Sequence, residues 1–457
     1  MPVPQLKCAT QRMLLVVQQL GTLKRKIMNK HLKHIAAAGL VTALLATGCK
    51  KDYENPNAAT ANQVYSSPKG LMGVSIGLQR LYTLGQGSSV YGLSTATGFV
   101  TNEVSLRNAG NIPELQFSTG GSAVDPTNNV LANIWSNANK IIYDANLVQA
   151  SARRLGDRGY ASGLIAYTTV MEALALGSLS MYWERIPDTT GSNVSFSPRV
   201  NGFRRAVAAI DEALATVAAN PISAGFNADM PAGHNLVNTL QALKARYALF
   251  AGDYNIALAA ANAVDITQRG MFNFDAANAN PIFAAVTSTN NVYQPVDSTL
   301  GLPASIAPDL ADRRIQFYTA INATVAPRFR LTAFYNTATS AIPIYYPGEV
   351  TLIKAECLAR NNDLTNAVVE LNRVVTKTAA ADPLGIGAQL PAVNPTTQAD
   401  VLEQIYRNRC IELYQSGLKL EDMRRFGRPI AERKRNFFPY PFRERDGNPN
   451  TPADPAF

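Results

Sequence analysis

Residues 245–264 read ARYALFAGDYNIALAAANAV, and residues 355–374 read AECLARNNDLTNAVVELNRV. The two segments share an order of features: a small residue, an apolar stretch, a Gly-Asp or Asn-Asp turn, and a second apolar stretch that contains Ala. Small side chains allow two helices to pack closely, and Gly or Asn accepts the left-handed backbone that ends a helix. Each segment therefore predicts two antiparallel helices joined by a tight turn.

The paired segments resemble the tetratricopeptide helix–turn–helix unit. We place the two pairs near residues 240–265 and 349–376. Their matching segments start 110 residues apart (355 − 245), so the fold is not a regular tandem array. Apolar residues recur at helical spacing elsewhere, in the stripes 71–81, 134–148 and 203–217. The sequence thus predicts a mostly all-α fold of tetratricopeptide-like helix pairs with long insertions.

Two segments differ from these helices in amino-acid composition. The insertion between the pairs, residues 269–347, is rich in Asn, Thr, Pro and aromatic residues, and residues 85–127 contain seven glycines. Long irregular segments in a compact protein are usually functional or disordered, and the aromatic content argues against disorder. We expect both segments to form irregular loops that face a ligand.

Composition and charge exclude several classes of function. The chain has 457 residues, of which 47% are hydrophobic and 16% charged, so it can bury a large core. The net charge is +9, but residues 1–48 contain seven basic and no acidic residues, which leaves +9 − 7 = +2 for the rest. A near-neutral body lacks the basic surface of a nucleic-acid-binding protein. Only one of the three histidines, His234, lies beyond residue 48, which excludes HExxH metalloprotease chemistry.

The first fifty residues have the pattern of an export signal. A basic segment is followed by a short Ala- and Leu-rich stretch at residues 35–46 and by small residues. The apolar stretch is too short to span a membrane. Because Cys49 follows directly, residues 28–48 resemble a bacterial lipoprotein signal, which implies that Cys49 is lipidated and begins the mature domain. An ordinary signal with an incidental Cys is the alternative.

The segment before this signal has its own interpretation. Residues 1–27 precede a signal of ordinary length that begins at Met28, so we interpret them as a start-site artefact. The mature domain is then residues 49–457, with no other run of membrane-spanning length.

Two cysteines of the mature domain, Cys357 and Cys410, have two possible interpretations. They either form a disulfide in an exported protein or are two small buried hydrophobic residues on helices.

Enzyme motifs are weak in this sequence. Residues 73–77 match the G-x-S-x-G nucleophile pattern, which requires a strand before it and a helix after it. Here the match lies inside an apolar helical stripe, and His234 is the only histidine available as a base. We therefore predict a structural role for it. A glycosidase needs two carboxylates about 5–10 Å apart, and the 33 acidic residues neither support nor exclude such a pair.

Charged residues alternate in sign near the C-terminus. Residues 421–446 contain eight basic and five acidic side chains. Interleaved charges of this kind indicate a surface that is crossed by salt bridges.

Several groups of residues, in a fixed order, carry a resemblance to a known family. In the C-terminal third they are Gly348-Glu349-Val350-x-Leu352-Ile353-x-Ala355-Glu356, Asn362-Asp363-Leu364-x-x-Ala367, Arg407-x-Arg409-x-x-Glu412-Leu413, Gly417-x-Lys419-x-x-Asp422-Met423-Arg424-Arg425-Phe426-Gly427, and Phe438-Pro439-Tyr440-Pro441 with Glu444. Upstream, Trp135, Tyr143, Asn146 and Trp183-x-x-Ile186-Pro187 fit the same pattern. In this order the residues are similar to the SusD/RagB family of outer-membrane nutrient-binding lipoproteins of the Bacteroidetes.

The resemblance implies both a fold and a function. It implies a SusD-like, lipid-anchored protein exposed at the cell outer membrane, which captures an oligosaccharide or a peptide and passes it to a SusC-like TonB-dependent transporter. It also implies a binding protein with no catalytic step. We predict no cofactor and no metal-ligating residues, and membrane contact through the lipid anchor only; whether a metal orders a loop stays open. Two alternatives remain open. One is a periplasmic tetratricopeptide-type scaffold that binds proteins, and the other is a surface glycoside hydrolase.

Sugar binding depends on flat aromatic faces and planar hydrogen-bonding side chains. On that basis we predict ligand-binding residues in the irregular segments: Tyr91, Phe99, Asn102, Arg107, Tyr293, Phe317, Tyr318 and Tyr335. Packing within the loops is the alternative for each of them. The only two tryptophans, Trp135 and Trp183, lie in predicted helices, and we expect them to belong to the core.

Overall fold

The computed structural model describes residues 61–287 and 291–457. The predicted start-site artefact (1–27), the predicted signal peptide (28–48) and the predicted lipidation site, Cys49, lie outside the described residues.

The described chain is mostly helical, which confirms the predicted fold class. Its helices are α1 (Ala61–Ser66), α2 (Pro68–Thr83), α3 (Ser89–Val100), α4 (Ile112–Thr119), α5 (Asn129–Ala152), α6 (Arg158–Tyr182), α7 (Val200–Ala219), α8 (Ala224–Asp229), α9 (Leu236–Ala251), α10 (Tyr254–Asn262), α11 (Pro281–Val286), α12 (Arg313–Tyr318), α13 (Pro347–Arg360), α14 (Leu364–Val375), α15 (Gln398–Glu412), α16 (Lys419–Arg425) and α17 (Phe442–Gly447).

Short strands connect these helices. They are β1 (Val104–Leu106), β2 (Arg185–Pro187), β3 (Phe196–Pro198), β4 (Met271–Phe272), β5 (Tyr293–Pro295), β6 (Thr319–Ile321), β7 (Phe329–Leu331) and β8 (Ile342–Pro343). They pair antiparallel as β1–β5, β2–β3, β4–β8 and β6–β7.

Both predicted helix pairs are present. Gly252, with φ of 81°, ends α9 before α10, and Asn362, with φ of 64°, lies between α13 and α14. The small residues that the sequence placed at the helix contacts are fully buried: Ala245, Ala257, Ala355 and Ala367. Helix α10 packs against α13. The two pairs are therefore neighbours in space although they are far apart in sequence.

Helix α6 forms the centre of the core. It packs against α5, α7 and α9, and nearly every residue along it is buried. By length and composition alone this helix would be able to cross a membrane, so the prediction of no further run of that kind was wrong. Because its apolar stretch is wholly buried within the protein, α6 has the properties of a core helix.

The two segments predicted to be irregular contain more regular structure than expected. Residues 269–347 include α11, α12 and five short strands, and residues 85–127 include α3, α4 and β1. The glycines of α3 permit close packing: a Cβ atom at Gly92 would lie 2.7 Å from Ile134, and one at Gly98 would lie 2.5 Å from Gln415. Glycines that suggested loops therefore allow a buried helix to contact its neighbours.

Both described cysteines are free and buried, which confirms the interpretation as small hydrophobic residues. Cys357 lies in α13 and Cys410 in α15. Burial raises the pKa of each thiol to about 12, so neither forms the reactive thiolate near neutral pH.

These two thiols should resist labelling in the folded protein. We expect Cys357 and Cys410 to remain unmodified by a maleimide reagent under native conditions and to react once the chain is unfolded, because both are enclosed and protonated. Peptide mapping by mass spectrometry measures this at each site. Labelling of either cysteine in the native protein at the rate of a free peptide thiol would contradict the prediction.

Candidate ligand-binding face

Two of the two-stranded sheets are joined through one buried side chain. The Gln294 amide accepts a hydrogen bond from the Leu331 backbone N–H (2.8 Å) and donates one to the Val286 carbonyl (2.6 Å). It therefore links β5, which pairs with β1, to β7, which pairs with β6. We call the surface formed by residues 102–111, 291–301 and 319–331 the loop face.

Three of the predicted aromatic residues lie beneath the loop face. Tyr91 is 1% exposed, and its hydroxyl donates a hydrogen bond to Glu114 Oε1 (2.7 Å). Phe99 and Tyr293 are fully buried, with their rings edge to face and centroids 5.5 Å apart. Burial raises the pKa of the Tyr91 and Tyr293 hydroxyls, so both stay neutral. These side chains support the loop face from inside.

A second aromatic cluster contains the other three. Tyr318 is fully buried, and its hydroxyl donates to the Glu412 carbonyl (2.5 Å). Tyr335 is 1% exposed, and its hydroxyl donates to the Gln415 carbonyl (3.1 Å). Phe317 is half-buried, with its ring centroid 5.0 Å from that of Tyr318. Phe317 alone in this cluster presents part of its ring to solvent.

The two predicted polar residues differ in their roles. Asn102 has φ of 63°, and its amide donates to the Glu432 carbonyl (3.2 Å). A Cβ atom at Gly301 would lie 2.0 Å from the Asn102 carbonyl oxygen, so the backbones meet closely here. Asn102 thus forms a packed turn. Arg107 is exposed, and its backbone N–H donates to the Val292 carbonyl (2.8 Å).

The structure therefore divides the eight predicted residues into groups. Five are buried: Tyr91, Phe99, Tyr293, Tyr318 and Tyr335. Asn102 is partly buried in its turn. Arg107, after β1, and Phe317, before β6, reach the surface at opposite edges of the joined strands. Their role in ligand binding stays a prediction, and the geometry favours Arg107 and Phe317 over the buried residues.

Sequence reasoning missed a second arginine on the loop face. With the Asn291 amide oriented so that its oxygen accepts, Arg330 Nη1 donates to it at 2.8 Å. Arg330 Nη2 donates to the Ala326 carbonyl (3.1 Å). This guanidinium thus reaches from β7 to the start of β5, where Arg107 is also anchored. Three-residue strands are too short for a two-residue period to mark such a side chain, so no sequence signal identified it.

A cavity beside Tyr335, within the part of the chain that the structure describes, is too small for a nutrient. A cavity of about 60 Å³ is lined in part by Arg246, Tyr335, Tyr346 and Gln415. That volume holds about two water molecules. A ligand of the loop face would therefore bind at its outer surface, where Arg107 offers hydrogen-bond donors to hydroxyl or carboxylate oxygens.

The G-x-S-x-G segment has the structural role that was predicted. Ser75 is fully buried inside α2, and its hydroxyl donates to the Leu71 carbonyl (2.8 Å). Neither ring nitrogen of His234 has a hydrogen-bond partner in the part of the chain that the structure describes, and burial lowers the pKa of this imidazole to about 4. The two side chains therefore form no Ser–His pair. Within residues 61–287 and 291–457, no cluster of His, Cys, Asp and Glu has the geometry to hold a metal ion.

Comparisons with known proteins show similarity to one family. Residues 331–454 match the model of the SusD family. A SusD superfamily protein from Bacteroides thetaiotaomicron is similar in structure, with a TM-score of 0.66, 16% identity, and coverage of 85% of this chain and 100% of that chain. A SusD-like carbohydrate binding protein from Bacteroides fragilis gives a TM-score of 0.61 at 14% identity, covering 80% of this chain and 87% of that chain.

A further neighbour is a putative sugar binding protein from Bacteroides vulgatus, with a TM-score of 0.62 and 16% identity, which covers 85% of this chain and 98% of that chain. The comparison with curated proteins gives no match. At these identities the solved structures establish a shared fold, which is that of the SusD superfamily. Together with the family match in the C-terminal part, they confirm the predicted resemblance to the SusD/RagB family.

Proposed function

We propose that this chain is a cell-surface lipoprotein that binds a nutrient and passes it to a SusC-like TonB-dependent transporter in the outer membrane. The observation that carries the proposal is the SusD fold across most of the chain, joined to the family match at residues 331–454. Two structural neighbours are described as carbohydrate or sugar binding proteins, which supports an oligosaccharide as the nutrient ahead of a peptide.

The mechanism is capture followed by handover, without a covalent step. The buried hydroxyl of Ser75 is occupied by its own helix, so the G-x-S-x-G segment supplies no nucleophile. Arg107 on the loop face and Phe317, two residues before its third segment, are the proposed ligand contacts, since both reach solvent. Cys49, if lipidated, anchors the protein by its acyl chains alone.

Binding is tested with the full mature chain. A panel of polysaccharides in affinity electrophoresis, and a peptide library by calorimetry, should identify at least one ligand. We expect Arg107→Ala to weaken binding of that ligand by about tenfold or more, which corresponds to the loss of one hydrogen bond from a charged group. Arg204→Ala is the matched control, because Arg204, on α7, is also exposed but pairs with Asp253. Equal losses of affinity in both variants would show that Arg107 does not contact the ligand.

The two alternatives are tested separately. Release of reducing ends from the bound glycan would establish a hydrolase in place of a binding protein. Protease treatment of intact cells should cleave the protein if it is surface-exposed, whereas a periplasmic scaffold would be protected. Cys49→Ser should release the protein from the membrane fraction, and co-purification from detergent extracts should recover a barrel transporter with the wild type.

A further inference from the structure

We propose that a second saccharide-binding site lies in a cleft between the start of α5 and α17. The cleft has a volume of about 440 Å³, within the range of about 300–1,000 Å³ that small-molecule pockets occupy. It shares no residue with the loop face. The inference rests on the proposed function for the class of ligand. The residues that carry it are Thr127, Asn129, Asn133, Trp135, Phe442 and Arg443.

An exposed aromatic ring stands at the rim of the cleft. Phe442 is 60% exposed, so its ring is available for contact with a ligand. Its backbone N–H donates to the Pro126 carbonyl on the opposite wall (3.0 Å), so its position is fixed. A flat apolar face held at the mouth of a polar cleft suits the apolar face of a sugar ring.

The floor of the cleft is rigid. Trp135 Nε1 donates to Glu444 Oε2 (3.0 Å), and the Trp135 ring contacts Trp183 edge to face with centroids 4.8 Å apart. The other oxygen of Glu444 accepts from Asn448 (3.1 Å). The protein itself therefore supplies one hydrogen bond to each oxygen of this carboxylate and holds it in place. A floor that needs no rearrangement lowers the cost of binding.

Polar side chains complete the rim with groups suited to hydroxyls. Asn129 and Asn133 each offer a donor and an acceptor, and Ser136 adds a hydroxyl. Arg443 is exposed and forms no ion pair among the described residues, whereas Arg445 nearby pairs with Asp454 (2.6 Å). Neither wall is a β-strand, so the cleft has no backbone edge on which an extended peptide would pair. This set of groups favours a sugar over a peptide.

The test uses an oligosaccharide of the glycan that the full mature chain binds, titrated while tryptophan emission is recorded. Trp135 is one of only two tryptophans, so a ligand in the cleft should change the emission. We expect Phe442→Ala to weaken binding about tenfold, so that the emission change requires about tenfold more oligosaccharide, and Arg443→Gln to weaken it about threefold. The matched controls are Phe457→Ala, another exposed ring (70%), and Arg445→Gln, and neither should change binding. Thermal melting verifies that each variant is folded.

Three outcomes overturn the second site. If Phe442→Ala and Arg443→Gln bind like the wild type while Arg107→Ala is weakened, the glycan binds only at the loop face and the proposed function stands. If no polysaccharide or peptide binds, the proposed function itself fails. If the Phe442 variant impairs growth on the glycan but binds it normally in solution, the ring contacts a partner protein and not a sugar.

Discussion

Replacing Glu356 with Gln is expected to lower the free energy of unfolding by about 3–5 kcal/mol at neutral pH. Glu356 is fully buried in α13. Its carboxylate accepts two hydrogen bonds from Arg425 and one from Arg360, all 2.8 Å long. Glutamine keeps the size of the side chain but removes its charge, and its amide N–H₂ would face the guanidinium donors. Arg425, which is 7% exposed, would then lose half of its counter-charge.

The surrounding network makes this loss costly. Arg425 also pairs with Asp422 (2.9 Å), and Asp422 pairs with the fully buried Arg409 (2.9 Å). The sequence predicted a salt-bridged surface for residues 421–446, and for this part the prediction was wrong in location: the pairs are present but buried. A broken pair in the interior leaves a charge that water cannot reach, so its penalty exceeds that of a surface pair.

The pH dependence gives a second check on this prediction. Burial opposes the ionisation of Glu356, but Arg425, with Arg409 and Arg360, lowers the pKa of its carboxyl from 4.5 to about 2. The stabilising contribution is therefore complete above pH 4.5 and is lost as the pH falls towards 2. The difference in unfolding free energy between wild type and Glu356→Gln should narrow over that window.

Chemical denaturation at a series of pH values measures both effects. Glu403→Gln is the control, because the Glu403 side chain is 42% exposed and pairs with Arg428 at the surface. Glu403→Gln should lower the free energy of unfolding by less than about 1 kcal/mol. Equal losses in the two variants, or a difference that stays constant down to acid pH, would show that the Glu356 pair contributes no more than a surface ion pair.

The helix pairs could be predicted from sequence because their determinants are local. Gly252 and Asn362 adopt the left-handed conformation that each turn requires, and Ala257 and Ala367 are enclosed at the helix contacts. All of these features lie within about twenty residues of chain. The contact between α10 and α13, by contrast, joins segments that are distant in sequence, and no local pattern encodes such a contact.

The ligand-binding face was harder to predict because composition does not separate buried aromatic residues from exposed ones. Tyr293 lies in β5, which pairs with β1 across 187 or more residues of sequence (293 − 106). That pairing turns the ring inward against Phe99. Phe442 was not predicted to bind a ligand, since it follows directly on a family motif and not in an irregular segment. Exposure at both positions depends on tertiary contacts.

Glu103 should make the protein less stable as the pH rises from about 4.5 to about 7. It is 1% exposed, and burial raises the pKa of its carboxyl from 4.5 to about 7, although Lys419 and the Gln415 amide groups favour the charged form. The hydrogen bonds from Gln415 are long, at 3.3 Å and 3.5 Å, and bonds of that length stabilise a carboxylate weakly. The folded protein therefore binds a proton here that the unfolded chain has already released.

The sign of the effect follows from this difference. Because the pKa is higher in the folded state, the stability associated with protonated Glu103 is complete below pH 4.5 and is lost as the pH rises through about 7. The interval from 4.5 to about 7 corresponds to about 3 kcal/mol. Glu103→Gln stays neutral at every pH, so its unfolding free energy should not show this decrease.

The test compares how the unfolding free energy changes with pH in the two proteins, and not its absolute value. Glutamine also changes the hydrogen bonds of the site, but that change in free energy does not depend on pH. Unfolding free energies of wild type and Glu103→Gln, measured by urea denaturation from pH 4.5 to pH 8, should diverge by about 3 kcal/mol in favour of the variant. Glu184→Gln makes the same chemical change at an exposed position, and its curve should run parallel to the wild type. Parallel curves for Glu103→Gln as well would mean that Glu103 is already ionised at pH 5, with Lys419 close enough to outweigh its burial.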